Sequence, residues 1–105
     1  MNEKKIIKVL ILDPSDNVAI ALTNLPMKSH LEVKLEENKT KTIETKEAIP
    51  QGHKLALINV ECGDWIIKYG ERIGKAKSLI TAGSHVHVHN VEDNTELLVL
   101  ERRPK

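Results

Sequence analysis

The chain has 105 residues, 40% hydrophobic and 30% charged, a composition typical of folded proteins and a length that suits one compact domain. The formal net charge is +1, so no long-range field favours nucleic acid or an anionic membrane, and we expect neither as a partner. The one cysteine, Cys62, cannot form an internal disulfide, and the amino-terminal residues lack the pattern of a secretion signal, so the expected location is cytoplasmic.

The amino-terminal third of the chain predicts one strand and one helix. Residues 5–12 are β-branched and aliphatic and stop at Pro14, which predicts a strand followed by a turn. This apolar run is far shorter than the roughly 20 residues that cross a bilayer. Residues 18–25, VAIALTNL, have the length and apolar spacing of two helical turns, with Asp16 or Asn17 as the amino-terminal cap.

A strand and a charged segment follow. Leu31, Val33 and Leu35 alternate with charged residues, and this period of two indicates a strand with one exposed face. Residues 37–47 are mostly Lys, Glu and Thr. They predict either an exposed edge hairpin or a mobile loop.

The remainder of the chain predicts several short strands. From Ile49 onward each apolar run ends at a glycine or a polar turn, and the last two runs are 85–91 and 96–102. No repeat with a period of about 20 to 50 residues is expected. The pattern as a whole predicts a small, mostly antiparallel β domain with one short helix.

A histidine triplet is the first candidate for a functional site. His85, His87 and His89 alternate with Val86 and Val88, so on an extended strand the three imidazoles share one face. Neighbouring histidines then stand about 7 Å apart at their roots and the outer two about 13 Å apart. One ion, about 2.1 Å from each nitrogen, therefore takes two of the three unless the strand bends. His87 and His89 are the candidate metal pair, and no acidic ligand is visible on that strand face.

Other roles for the triplet stay open. The rings can form a polar sheet face that hydrogen-bonds neighbours or water. Because histidine titrates near neutrality, one of them can also bind a carboxylate or protonate a leaving group.

Two segments that contain glycine are further candidates. IPQGHK at 49–54 is typical either of an anion-facing loop or of a simple turn between strands. WIIKYGERIG at 65–74 is typical of a hairpin, and neither GxGxxG nor GxxxxGK occurs in the chain, so nucleotide binding is not expected. The polar residues of the two segments are His53, Lys54, Lys68, Tyr69 and Arg72.

Four segments, in this order, resemble the SAF domain of the altronate dehydratase and galactarate dehydratase family: DNVAIAL, IPQGHKLAL, GDWIIKYGERIG and AGSHVHVHN. The resemblance runs from about Leu12 to Asn90, and four ordered motifs are more specific than any one of them. It implies a single SAF domain over residues 1–105 with a β-clip fold, an irregular assembly of short strands. The expected fold class is therefore mostly β, a SAF-type β-clip of short strands with one short helix.

The resemblance also implies a function. In longer relatives this domain precedes a large catalytic region, and in split relatives such as the sulfolactate sulfo-lyase a small subunit pairs with a large one. This chain would then be the small subunit of a two-subunit hydroxy-acid lyase, inactive without its large catalytic subunit. The implied reaction removes water from a sugar acid such as altronate or galactarate, or sulfite from sulfolactate. Its cofactor would be a divalent metal, iron or manganese, held mainly by the large subunit.

The resemblance places the site residues on a cleft shared with the large subunit. One or more of His85, His87 and His89 would act there as catalytic residues, metal ligands or substrate contacts. The implied substrate-binding residues are Asp16, Asn17, His53, Lys54, Lys68, Tyr69 and Arg72. Self-association into a homo-oligomer is also compatible with a small domain of aliphatic strands.

Two other functions compete with the lyase subunit. SAF domains also occur as non-catalytic carbohydrate-binding or assembly modules, and the sequence fits that role. A metal-dependent, cupin-like enzyme acting alone is suggested by histidines on a β framework, but the acidic ligand expected near an HxH pair is not visible. A neighbouring gene for a large lyase-like subunit would favour the first reading over the module.

Overall fold

The chain folds as short strands joined by turns, in a computed structural model that describes residues 8–36 and 39–92. Within these residues there are nine strands and no helix, which confirms the mostly β class. None of the described segments is a helix long and apolar enough to cross a membrane. The strands are β1 (Val9–Leu10), β2 (Val18–Ala21), β3 (His30–Glu36), β4 (Lys39–Glu44), β5 (Lys54–Ala56), β6 (Trp65–Lys68), β7 (Glu71–Ala76), β8 (His85–Val86) and β9 (Val91–Glu92).

The strand pairings of the described residues are antiparallel. β1, β2, β5 and β8 form one sheet in that order, β6, β7 and β9 form a second, and β3 pairs with β4. Leu31 and Val33 on β3 are buried, as the alternation predicted. Of the two structures predicted for residues 37–47, the hairpin is the one found, while residues 37 and 38 themselves lie outside the described part.

The helix predicted over residues 18–25 is wrong, because Val18–Ala21 forms β2. This strand lies between β1 and β5, and Val18, Ala19 and Ala21 are each 1% exposed. A strand buried on both faces is a continuous apolar run. At this length such a run has no period that distinguishes it from a short helix.

Two other predicted strands are shorter than expected. β8 ends at Val86, and Val91 belongs to the separate strand β9. Of the run 5–12, only Val9–Leu10 is a strand among the described residues. The start of that run and the whole of the run 96–102 lie outside the described part of the chain.

The fold contains an internal repeat, although the sequence predicted none. Four turns share one form: a buried aliphatic residue, two further residues, a residue with positive φ, and a polar residue whose amide N donates to the carbonyl three positions earlier, as in type II turns. The turns are at 25–29, 49–53, 60–64 and 80–84. The first and third are 35 positions apart and the second and fourth 31 apart, so each repeat contains two turns.

Hydrogen bonds outside the strands follow the same repeat. An isolated bridge joins the two turns of each repeat, and each bridge carries an asparagine cap. Asn24 Oδ1 accepts from the amide N of Gln51 at 2.8 Å, and Asn59 Oδ1 accepts from the amide N of Ala82 at 2.9 Å. The bridges are Leu25 with Ile49 and Val60 with Ile80.

Each repeat also has its own hydrophobic core, and β5 contributes to both. The first core consists of Ala19, Ala21, Leu25, Leu31, Val33, Ile43, Ile49, Leu55 and Leu57. The second consists of Val18, Ala56, Val60, Ile66, Ala76, Ile80 and Val86. Aliphatic burial of this kind, at roughly 25 cal/mol per Å², is the main stabilising contribution available to so small a domain.

Asp16 and Asn17 join the first sheet to the β6–β7 hairpin. The Asp16 carboxylate is 9% exposed and accepts hydrogen bonds from two amides of its own turn, at 3.1 and 3.3 Å, and from the amide of Gly70 at 2.8 Å. The Asn17 side chain accepts from the amide of Ile67 at 2.7 Å and donates to the carbonyl of Trp65 at 2.9 Å. Among the described strands, none of the first sheet pairs with β6 or β7. The side chains of Asp16 and Asn17 join the first sheet to the hairpin instead.

We expect Asp16→Ala to lower the free energy of unfolding by about 2 to 3 kcal/mol, because it leaves three backbone amides without their charged acceptor. Asp64→Ala is the matched control, since Asp64 is exposed and exposed substitutions cost about 0.5 kcal/mol or less. Urea denaturation of the three proteins measures both losses. Equal losses for the two variants would contradict the role given to the Asp16 carboxylate.

Substitutions at Gly83 and Gly52 distinguish the cost of backbone strain from the cost of a steric clash. Both have positive φ, +89° and +86°, but a Cβ on Gly83 would lie 2.0 Å from the carbonyl O of Glu44, whereas a Cβ on Gly52 meets nothing within 4 Å. Gly52→Ala should cost about 1 to 2 kcal/mol from backbone strain alone. Gly83→Ala should cost about 2 kcal/mol more, because the backbone at Glu44 must move. Thermal unfolding of both variants measures this difference. Equal losses of stability would show that the positive φ alone determines the cost.

Candidate functional site

Four imidazole rings lie together beside the β5–β8 pairing. His53 immediately precedes β5, His85 begins β8, and His87 and His89 follow it. Because β5 and β8 are antiparallel, the residue before β5 lies across from the residue after β8. The ring centroid of His53 is 5.0 Å from that of His85 and 4.2 Å from that of His87. The site therefore combines a histidine of the IPQGHK segment with the triplet.

The segment after β8 bends because Asn90 folds the chain back. The Asn90 side chain accepts from the amide of His87 at 3.0 Å and donates to the carbonyl of His85 at 2.7 Å. The ring centroids of His85 and His89 consequently lie 5.2 Å apart, although a regular strand would separate these residues by about 13 Å. The segment is therefore bent, although His87 and His89 belong to different groups of potential ligands.

A hydrogen bond joins two of the rings directly. His53 Nδ1 and His85 Nε2 are 2.8 Å apart, and the two ring planes differ by 22°. In such a pair one nitrogen donates and the other accepts, and an imidazolium has no acceptor nitrogen. The two rings therefore cannot both be protonated while this bond lasts.

The surroundings favour neutral rings at two positions. Burial, and then the nearby His53, lower the pKa of His85 below its usual value. Desolvation, and then His53 and Lys54, lower the pKa of His87 in the same direction. Both rings are therefore mostly neutral at pH 7 and keep a nitrogen lone pair for a proton or a metal.

A cavity of about 240 Å³ lies beside the cluster. Its lining consists of Lys54, Ile73, His87, Val88 and Val91. Burial, and then the charge of Lys68, lower the pKa of Lys54. The volume is below the roughly 300 to 1,000 Å³ of a typical ligand pocket, so the cavity suits a small acid or one end of a longer one. A cation and an imidazole at an aliphatic wall can hold its carboxylate.

The histidines form two overlapping groups of metal-ligand type, and Glu47 belongs to one of them. One group is His53, His85 and His87, and the other is Glu47, His85 and His89; within each, the donor atoms lie within 4.8 Å of one another. Glu47 Oε2 also accepts a hydrogen bond from the amide of His85 at 3.2 Å. Glu47 comes from a turn 38 positions earlier, so no local spacing pointed to it. It supplies the acidic group that the strand itself lacks.

The other residues implied by the resemblance lie in different surroundings. Asp16 and Asn17 are engaged with backbone groups, as described above. Tyr69, at the β6–β7 turn, is 70% exposed with φ +56°. Arg72 lies over the Trp65 ring, with Cζ 5.1 Å from the ring centroid. Substrate binding by these residues stays a prediction, as does metal binding by His87 and His89 as a pair.

Together the fold and this cluster define a small β module that presents histidines at its surface. The chain matches the family described as the altronate/galactarate dehydratase SAF domain over residues 7–94. It therefore belongs to this family, as the four motifs indicated. The single domain over residues 1–105 stays a prediction.

Relatives of known activity fall into two kinds. The chain is 42% identical over 79 residues to altronate dehydratase of Escherichia coli (strain K12), which is 75% of this chain and 15% of that protein. It is 43% identical over 58 residues to the (2R)-sulfolactate sulfo-lyase subunit alpha of Chromohalobacter salexigens, which is 55% of this chain and 62% of that subunit. For the corresponding subunit of Paracoccus pantotrophus the identity is 44% over 54 residues, 51% of this chain and 81% of the subunit. The chain thus spans a small part of the dehydratase and most of the length of the alpha subunits.

Substitution of Lys54 tests whether this residue serves ligand binding or the stability of the fold. Because burial disfavours its charge, Lys54→Gln should leave the melting temperature unchanged or raise it. The same variant should bind small carboxylates more weakly. Lys34→Gln, on the exposed face of β3, controls for loss of a positive charge. Calorimetric unfolding at pH 7 measures the effect, and a clear loss of stability in Lys54→Gln alone would assign Lys54 a structural role.

Proposed function

We propose that this chain is the small subunit of a two-subunit hydroxy-acid lyase and contributes its histidine cluster to an active site shared with a large subunit. The observation that carries the proposal is the convergence of four imidazoles beside a cavity lined by Lys54. Membership of a lyase-associated family supports it, as do the relatives named as sulfo-lyase alpha subunits.

The chemistry of elimination suits these side chains. Loss of water from a hydroxy acid needs a base for the proton next to the carboxylate and an acid for the departing hydroxide. His87, at the cavity with a lowered pKa, is suited to the base. The His53–His85 pair is suited to the acid when it carries one added proton, because the neutral ring then accepts the hydrogen bond of the protonated one, while Lys54 binds the substrate carboxylate. Sulfite needs less protonation to leave than hydroxide does.

The divalent metal implied by the resemblance, iron or manganese, is held mainly by the large subunit in this proposal. Imidazole nitrogens and carboxylate oxygens are ligands that iron and manganese accept, so the two donor groups of this chain fit such an ion. When bound, the metal would stabilise the negative charge that forms as the proton is removed. Anionic hydroxy acids of the altronate, galactarate and sulfolactate type are the proposed substrates. The proposal also includes a β-clip topology for the domain, a cytoplasmic location and self-association of the chain.

A carbohydrate-binding or assembly module is the alternative. The β6–β7 turn favours it, because Tyr69 is 70% exposed with φ +56°, and a non-glycine residue in this region is often retained for a role outside the fold. In this case the chain would hold a sugar acid or the large subunit without taking part in proton transfer.

The proposal predicts that activity requires both chains and depends on the cluster. The chain is co-expressed with the large lyase-like subunit of the same organism and purified under reducing, anaerobic conditions. Dehydration of altronate and galactarate and release of sulfite from sulfolactate are then measured. His87→Ala should lower kcat/KM by about 100-fold or more, because it removes a general base. Lys54→Gln should act mainly through a higher KM.

His30→Ala is the matched control, since His30 lies on β3 and pairs with Glu44 at 3.2 Å instead of joining the cluster. It should retain full activity. A complex whose activity is unchanged by His87→Ala would move the assignment to the binding or assembly module. A large subunit that is fully active alone would contradict the two-subunit proposal itself.

A further inference from the structure

We propose that this chain itself binds one divalent first-row transition-metal ion through Glu47, His85 and His89. Their donor atoms lie within 4.8 Å of one another. Donors that share one ion at about 2.0 to 2.1 Å stand roughly 3 to 4 Å apart, so small side-chain rotations complete the site. Neither the family match nor the relatives' names assign a metal to Glu47, and the resemblance left open which of the triplet histidines would be ligands.

The existing hydrogen bonds favour this group over the three-imidazole group. In the group of His53, His85 and His87, an ion would have to displace the 2.8 Å bond between His53 Nδ1 and His85 Nε2. In the group with Glu47, that bond remains when His85 binds the ion through its other nitrogen, Nδ1, which the hydrogen bond to His53 does not use. His53 then holds the His85 ring from behind, as partners of ligating histidines commonly do.

Charge favours the same group. The Glu47 carboxylate offsets part of the charge of a dication, whereas the three-imidazole group has no anion and His87 has Lys54 as a neighbouring charge. The amide of His85 donates to Glu47 Oε2 at 3.2 Å. This bond holds the carboxylate beside the ring and leaves Oε1 available as a ligand.

The donor set indicates which ions would bind. Two imidazoles and one carboxylate suit iron, cobalt, nickel or zinc better than magnesium or calcium, which prefer oxygen ligands. Glu47 and His89 are exposed, so further positions on the ion remain open to water, an acid or a partner chain. This inference does not depend on the proposed lyase reaction, since metal binding can be measured on this chain alone.

Zinc titration calorimetry of the metal-free chain at neutral pH tests the proposal, with cobalt absorption spectra as a second readout. One ion per chain is expected. Glu47→Gln and His89→Ala should each weaken zinc binding by at least about tenfold and change the cobalt spectrum, because each removes a ligand. Far-ultraviolet circular dichroism establishes that each variant remains folded, and both substituted positions are exposed.

His87→Ala and His30→Ala are the controls, and both should bind zinc with nearly the affinity of the unsubstituted chain. Loss of binding in His87→Ala with retention in Glu47→Gln would overturn the proposal in favour of the three-imidazole group. Absence of saturable binding, or equal binding by all variants, would overturn it outright.

Discussion

The pairing of β5 with β2 on one side and β8 on the other is the constraint on which the rest of the structure depends. β5 has three residues, Lys54–Ala56, yet Leu55 belongs to one hydrophobic core and Ala56 to the other. The same pairing sets His53 beside His85 and His87. Because one short strand links both cores and carries part of the site, a shift in its register would disturb stability and histidine geometry together.

Where strand pairing ends, polar side chains form hydrogen bonds with the backbone. With strands as short as two residues, many buried backbone groups have no partner in a sheet, and each unpaired group would cost free energy. Asp16 and Asn17 bind backbone groups of the β6–β7 hairpin, and the Asn90 side chain accepts from the amide of His87 and donates to the carbonyl of His85. These side chains thus stabilise the backbone where strands end, and Asn90 also fixes the bend that follows His85.

The sequence predicted the β class, the β3 strand, the β3–β4 hairpin as one of two options, and the family, because these follow from local periodicity and ordered motifs. It failed at β2, whose residues are buried on both faces and therefore show no alternation. It missed the internal repeat because few positions recur: an aliphatic residue and a positive-φ residue in each turn, and one asparagine cap in each repeat. For the site, the triplet was visible as a local pattern, but Glu47 lies 38 positions from His85. The alternation of His with Val predicted a regular strand where the local contacts of Asn90 bend the chain.

The residues that stabilise the fold and those that form the site are largely different sets. The buried carboxylate and the positive-φ glycines lie within turns, whereas Val88 at the cavity is 75% exposed and Tyr69 is 70% exposed. Apolar side chains exposed to this extent contribute little to burial, so the free energy of folding does not account for them. At the cavity the exposed Val88 adjoins the neutral ring of His87, and such a surface is suited to covering by a second protein surface, which would enclose the cavity and exclude water from it. In the proposed two-subunit enzyme, the large subunit would strengthen the electrostatic interactions of Lys54 and the histidines by excluding water from them.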